Sequence, residues 1–586
     1  RWYERLGPHQ RNTADHIAQR HQLPDLIGRI LAARDIAVED VPRVLNPRLR
    51  DWMPDPSTLT SMDAGAERLA DAVERGEQVA IFGDYDVDGA CSSGLLSRFL
   101  SAHGTPNRIY IPDRLFEGYG PNPDAIGTLI DEGAGLIVTV DCGTTSHGPL
   151  QVAADRETDV VVIDHHQADA DLPPAVAIIN PNRQDDLSGL GALCAAGVVF
   201  MTLVATTRVL RKRGHYAGER SEPSLIAWLD MVALATVCDV VPLVGLNKAF
   251  VTQGLTVMGQ RRNPGLRALG DVAGLTSAPN PYHLGFVLGP RINAGGRIGR
   301  SSLGAELLTL DDDQAAGQLA GQLDQLNRER KAMETTILEE ARAMGEARIA
   351  AEPETAVLCV AGDTWHKGLV GLVASRLTEQ FGRPTCVLAW ADDGTGTGSL
   401  RSLPGVDIGG LVRRATADGL LLKGGGHAMA AGLTVAREKY DLLQAFFRLH
   451  ASAGVAKARA NAGTGVDGPL TAGGATIAFA KQLEQAGPFG IGNPTPRFAF
   501  PSHHVRGAKI VGENHVRASI VSADGSRLAG IAFRAAGTEL GNALLHNDGR
   551  PLHILGTIKR DTWGGREKVD LTIEDVADPQ AGRTMS

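Results

Sequence analysis

Short apolar runs alternate with amphipathic stretches through the first half of the chain. Residues 78–83, 108–111, 136–140 and 159–163 are such runs, the sign of buried strands, and helical periodicity fills 90–102, 123–132 and 148–156 between and after them. A βαβα order predicts a mostly parallel, doubly wound sheet. Residues 192–260 read as helical. Residues 312–350 form one long polar helix with a narrow apolar stripe (Leu319, Leu323, Leu326, Met333, Ile337), as a bridge between domains would. A second α/β pattern follows, with strands at 356–360 and 385–388 around a helix at 369–380. The period then changes. Strands at 497–500, 515–521, 528–533, 553–558 and 569–573, separated by turn signals such as Asp524-Gly525 and Gly564-Gly565, predict a small barrel. Ahead of the first strand lie a helical stretch at 16–33 and turns at Pro42, Pro47, Pro54 and Pro56. The Ala/Gly-rich stretch 455–468 reads as a linker. The pattern predicts a multidomain α/β protein: an accessory segment (1–75), a larger α/β domain (76–311), a connecting helix (312–350), a smaller α/β domain (351–454), and a linker with a barrel (455–586).

Composition supports this division. A chain of 586 residues exceeds what one core can organise. The 43% hydrophobic and 21% charged content is that of a soluble globular protein, and no apolar run reaches membrane-spanning length, so no membrane partner is expected. The six Cys are scattered without a Cys-x-x-Cys pair, as reduced core thiols of a cytoplasmic protein are. A net charge of −9 argues against a nonspecific nucleic-acid binder, while leaving room for a local basic groove.

Candidate chemistry gathers at strand ends. The first apolar run leads into Gly83-Asp84-Tyr85-Asp86-Val87-Asp88-Gly89. In an extended chain residues two apart face the same way, so the three carboxylates are expected to converge. Their repulsion calls for a hard divalent cation, although a polar Asp-Gly turn explains the same residues. Two further strands end at Asp141-Cys142-Gly143 and Asp164-His165-His166, where doubly wound sheets bind ligands. Asp239 sits among apolar residues and needs a partner if buried. Residues 288–300 read as a Gly-rich loop with Arg291, Arg297 and Arg300 and no acid, which suits phosphate binding or an ordinary connector. In the second α/β region, Trp365-His366-Lys367-Gly368, Gly398-Ser399-Leu400-Arg401-Ser402 and Lys423-Gly424-Gly425-Gly426-His427 offer Ser399, Arg401 and His427 to a phosphate. Gly425 and Gly426 would let backbone N–H groups approach it; a flexible hairpin tip is the alternative.

Taken in order, the Asp84–Asp88 stretch, Asp141-Cys142-Gly143, Asp164-His165-His166 and Thr236-Val237-Cys238-Asp239 resemble the DHH phosphoesterase superfamily. Gly289-Pro290-Arg291-Ile292-Asn293-Ala294-Gly295-Gly296-Arg297, Trp365-His366, Gly425-Gly426-His427 and Pro488-Phe489-Gly490-Ile491-Gly492-Asn493-Pro494 are similar to the bacterial RecJ single-strand-specific exonuclease family. The resemblance covers roughly 75–576. It implies a DHH catalytic core, a long connecting helix, a DHHA1-like substrate-binding domain and an OB-fold. It also implies 5′→3′ degradation of single-stranded DNA to mononucleotides in repair and recombination, using two Mn2+ or Mg2+ ions. Asp84 and Asp86 would serve one ion, Asp88, His165 and Asp239 the other, and Asp141 would bridge them. His166 would touch phosphoryl oxygens and Asp164 would orient a His ring. A 5′-phosphate pocket would draw on Arg114, Ser399, Arg401 and His427, with Tyr119 stacking on a base. A single-strand-binding protein and a helicase are the partners the resemblance implies. The rival readings are a DHH-type nanoRNase or cyclic-dinucleotide phosphodiesterase and, in another class, a non-catalytic replication scaffold.

Overall fold

Five parallel strands build the sheet of the larger α/β domain. Asn107–Tyr110, Val79–Gly83, Leu136–Val140, Asp159–Ile163 and Ala177–Ile179 lie side by side in that spatial order. The structure is a computed structural model that describes residues 1–113, 117–118, 120–562 and 566–579. Successive residues of a strand face opposite layers. Val79 and Ile81 therefore join the core beneath helices Met62–Arg75, Val87–Ala102, Ala195–Lys212 and Leu229–Cys238, while Ala80 and Phe82 join the layer of Pro123–Asp131 and His147–Asp155. The chain runs outward in opposite directions from the two central strands, Val79–Gly83 and Leu136–Val140. A crevice opens at that point, at the strands' carboxyl ends. The fifth strand, Ala177–Ile179, was not foreseen; its three residues are too few to show a period.

The second domain has a five-stranded mixed sheet in the order Lys423–His427, Ala430–Ala436, Thr395–Arg401, Thr385–Trp390, Leu358–Gly362. Lys423–His427 is thus an edge strand, not a flexible hairpin tip. The connecting helix, Asp313–Ala351, spans about 58 Å at 1.5 Å per residue. Ala316, Ala320 and Leu323 bury it in the catalytic core, and Ile337 and Ala341 bury its other end against the second domain. Met333, placed on the apolar stripe by periodicity, is exposed instead.

Strands Phe498–Val511, His515–Val521, Arg527–Ala532, Pro551–Asp561 and Lys568–Ala577 form the C-terminal barrel, which closes through pairing of Phe498–Val511 with Pro551–Asp561. The expected linker is largely ordered. Helix Tyr440–Ala460 runs through its first residues, and Thr464–Val466 pairs in parallel with Trp2–Glu4. The first 75 residues divide between two cores: Ile17, Ile27, Ile30 and Val41 pack with the barrel, Leu59 to Val73 with the catalytic sheet.

Candidate metal centre and substrate cleft

The carboxylates converge by a route the alternation argument does not describe. The strand stops at Gly83 and the chain turns at once into helix Val87–Ala102. Asp86 caps that helix, its Oδ1 accepting from the Asp88 N–H at 2.9 Å and the Gly89 N–H at 3.1 Å. The turn is so tight that a Cβ on Gly89 would lie 2.3 Å from the Asp84 carbonyl oxygen. Asp88, in the first helical turn, points back into the crevice. Its two oxygens accept from the Ala195 and Ala196 N–H groups, 2.7 and 2.8 Å away, at the start of helix Ala195–Lys212.

The neighbouring strands complete the set. Asp141 leaves Leu136–Val140 with φ 60°. His165 follows Asp159–Ile163 and brings Nε2 to 3.3 Å from Asp141, 3.7 Å from Asp88 and 3.7 Å from Asp239. Its Nδ1 lies 3.1 Å from the Leu193 carbonyl, to which it donates, and this contact turns Nε2 towards the carboxylates. Asp239 follows the last turn of helix Leu229–Cys238. Ligand atoms lie within 4.8 Å of one another in three groups: Asp84, Asp86 and Asp141; Asp88, His165 and Asp239; Asp141, His165 and His166.

Electrostatics marks this cluster as built for cations. Burial and then the charges of Asp88, Asp86, Asp84 and Asp239 push the Asp141 carboxyl well above its usual range. Burial, followed by Asp88 and Asp86, pushes Asp239 up to about 8. Burial raises Asp88 too. Hard carboxylate oxygens with one imidazole nitrogen are a donor set for Mn2+ or Mg2+, whose charge removes the repulsion. The residues present therefore fit such ions.

Asp164 is not in these groups and instead fixes the loop that carries both histidines. It accepts from the Thr144, His165 and His166 N–H groups and from His166 Nδ1 at 2.8 Å. Burial works against both charges of this pair, but the mutual hydrogen bond outweighs it. It lowers Asp164 and pushes His166 up to about 9. Sequence reasoning missed Asn180 and Asn182, which hold this loop by donating to the His166 and His165 carbonyls. The Asn180-Pro181-Asn182 punctuation after the apolar residues 177–179 was the signal for them.

The crevice opens into a cleft of about 690 Å³ between the two α/β domains, lined by Tyr85, Gly296 and Arg297 on one side and by Lys367, Ser399, Arg401, Lys423 and Gly425 on the other. Arg297 donates across it to the Gly368 carbonyl at 3.0 Å. Arg401 donates to Ser399 Oγ at 2.9 Å. His427 lines an adjoining cavity together with His166 and Thr144, and Gly426 lies in the edge strand between the two openings. Lys367 and Lys423 had not been singled out. Arg291 does not line the cleft. The supposed Gly-rich loop is helix Gly289–Ile298, and Arg291 is paired with Asp324 of the connecting helix at 2.9 Å. Arg114 and Tyr119 lie outside the described residues.

Known proteins share both the fold and the sequence. Residues 78–236 match the DHH family, N-terminal domain; 354–453 match the DHHA1 domain; 466–575 match the RecJ OB domain. The "Single-stranded-DNA-specific exonuclease RecJ" of Dickeya dadantii (strain 3937) is 35% identical over 567 residues, covering 94% of this chain and 96% of that protein. The chain belongs to the RecJ family. The Escherichia coli (strain K12) RecJ is 34% identical over 578 residues, covering 96% of this chain and 97% of its own. The crystal structure of RecJ in complex with Mn2+ from Thermus thermophilus superposes with a TM-score of 0.79 at 25% identity, covering 99% of this chain and 80% of that one. Among the described residues no helix is long and apolar enough to cross a membrane.

Proposed function

We propose that this chain hydrolyses single-stranded DNA from the 5′ end, releasing mononucleotides, with Mn2+ or Mg2+ as cofactor. The observation that carries this is the convergence of Asp84, Asp86, Asp88, Asp141, His165 and Asp239 at the mouth of a cleft lined by Arg297 and Arg401. Asp84 and Asp86 would hold one ion and Asp88, His165 and Asp239 a second, with Asp141 shared. When bound, such ions supply charge stabilisation for the phosphoryl oxygens and a water acidic enough to attack at neutral pH.

The chain's own groups do the rest. His165 presents Nε2 because the Leu193 carbonyl holds Nδ1. With Nδ1 engaged by Asp164, His166 would meet a phosphoryl oxygen through its other nitrogen and steady the developing charge. Arg297, tied to Gly368, keeps the two walls of the cleft together beside the scissile phosphate. Ser399 and Arg401, with His427 from the adjoining cavity and Arg114, would receive the terminal 5′ phosphate and so set polarity.

The two-domain alternatives, nanoRNase and cyclic-dinucleotide phosphodiesterase, are disfavoured by the full-length RecJ relatives and the closed barrel. The intact carboxylate set argues against a non-catalytic scaffold. We further propose a cytoplasmic role in repair and recombination beside a single-strand-binding protein and a helicase.

Strands labelled at either end test polarity. The wild-type chain with Mn2+ should release the 5′ label at once as a mononucleotide and the 3′ label last. Arg401→Ala should erase most of the preference for 5′-phosphorylated over 5′-hydroxyl strands. First release from the 3′ end, or an unchanged preference in the variant, contradicts the assignment.

A further inference from the structure

The helical run that carries Arg297 begins well outside the cleft, and its first turns hold two rings in water. Residues 281–298 are helical throughout, with His283–Leu288 in a π-helical turn that passes directly into Gly289–Ile298. Tyr282 is 63% exposed and Phe286 68% exposed. Their ring centroids lie 5.3 Å apart with planes inclined by only 24°, and His283 meets Tyr282 edge-on at 6.0 Å. The opposite side of the run is fully committed. Leu284 and Leu288 are buried, the Leu284 carbonyl lies 3.4 Å from Cys238 Sγ, and a Cβ on Gly289 would stand 2.4 Å from the same sulfur. The element that exposes the rings is therefore pressed against the residue preceding Asp239. The eleven residue-to-residue steps from Phe286 to Arg297 cover about 16 Å.

We propose that Tyr282 and Phe286 are a base-stacking platform for the part of the strand that has not yet entered the cleft. This rests on the single-stranded-DNA reading of the cleft. Two near-parallel rings offer a flat face of nucleobase size. An unpaired base can lay its own face on it, whereas a base inside a duplex already has both faces covered, so the platform favours single strands and tolerates any sequence. It also supplies attraction that does not depend on charge, which suits a chain of net charge −9 whose crevice is acidic. A π-helical turn within an α-helix is frequently found at functional sites. Here it directly precedes the helix that reaches the cleft.

The test compares the wild-type chain with Tyr282→Ala/Phe286→Ala and with the ring-preserving Tyr282→Phe/Phe286→Tyr, each with Mn2+. The substrates are a long single strand and a 5′-phosphorylated dinucleotide too short to reach from Arg297 to the rings. The double-Ala variant should raise KM on the long strand roughly tenfold, with kcat, dinucleotide turnover and the slope of KM against salt unchanged. The ring-preserving variant should match the wild type. A KM on the long strand that stays the same, or that rises equally for the dinucleotide, overturns the platform. A wild type inactive on both substrates overturns the functional reading instead.

Discussion

Asp141 is buried in the company of four other carboxylates, and its backbone stands at φ 60°. That conformation costs a side-chain-bearing residue about 1 kcal/mol, least when the residue is Asp or Asn, whose short polar side chains bond locally. Strain and like-charge crowding in one residue mark a position kept for chemistry rather than for stability. Asparagine is the substitution that isolates the charge here. It keeps the left-handed backbone and the side-chain shape, whereas Ala would change the strain as well. Asp88 differs, since two helix N-terminal N–H groups already bind its oxygens, and its loss would disturb the fold as well as the site.

Helix Gly289–Ile298 and the connecting helix are joined by Arg291 and Asp324, both nearly buried. Arg291→Ala should lower stability by about 1–3 kcal/mol, because among the described residues Arg328 is the ion-pair partner left to Asp324. Chemical denaturation measures this, and the salt dependence of KM should not change; a flatter salt slope would return Arg291 to DNA contact. Four strands of the first sheet, two of the second and the five of the barrel were legible because Val/Ile runs and period-two alternation need no knowledge of neighbours. The Gly-rich helix was not legible. Its glycines are there because Gly289 meets Cys238 and Gly296 meets Tyr85, where Cβ atoms would come within 2.4 and 2.3 Å, and that packing overrides the poor helix propensity of glycine. The metal-ligand residue types could be read at the strand ends. The strand-to-helix turn that unites Asp84, Asp86 and Asp88 could not, and neither could Asn180 and Asn182, which act through backbone carbonyls. The supposed linker was misread because alanine is also the best helix former, and because its strand pairs with residues from the far end of the chain.

At the scale of the whole molecule, the barrel meets the catalytic domain through the segment from Pro488 to Pro494. Ile491 accepts from the Leu243 N–H four residues beyond Asp239, Asn493 accepts from Arg34, and buried Lys248 donates to the Ala486 carbonyl at 2.7 Å. The N-terminal segment, the barrel and the metal-ligand loop thus share one joint. Burial, with Arg34 nearby, depresses the Lys248 ammonium to about 8. The penalty for a buried charge is therefore fully present below pH 8. It is relieved as pH rises from about 8 towards the unfolded value near 10.5. Lys248→Met lacks this titration, so the stability of the wild type relative to the variant should increase across that window in urea unfolding at several pH values. A constant difference would mean that the lysine is solvated and titrates alike in the folded and unfolded chain.

One assay tests directly whether the carboxylate–histidine cluster is a metal-dependent phosphodiesterase centre: mononucleotide release from single-stranded DNA by wild type and Asp141→Asn, with Mn2+ and with chelator. The wild type should be active only with metal. Asp141→Asn should melt no lower than the metal-free wild type yet lose more than roughly a hundredfold in rate, since even outer partners of metal ligands cost 10–100-fold. Release that survives chelation, or that persists in a folded Asp141→Asn, would contradict the account.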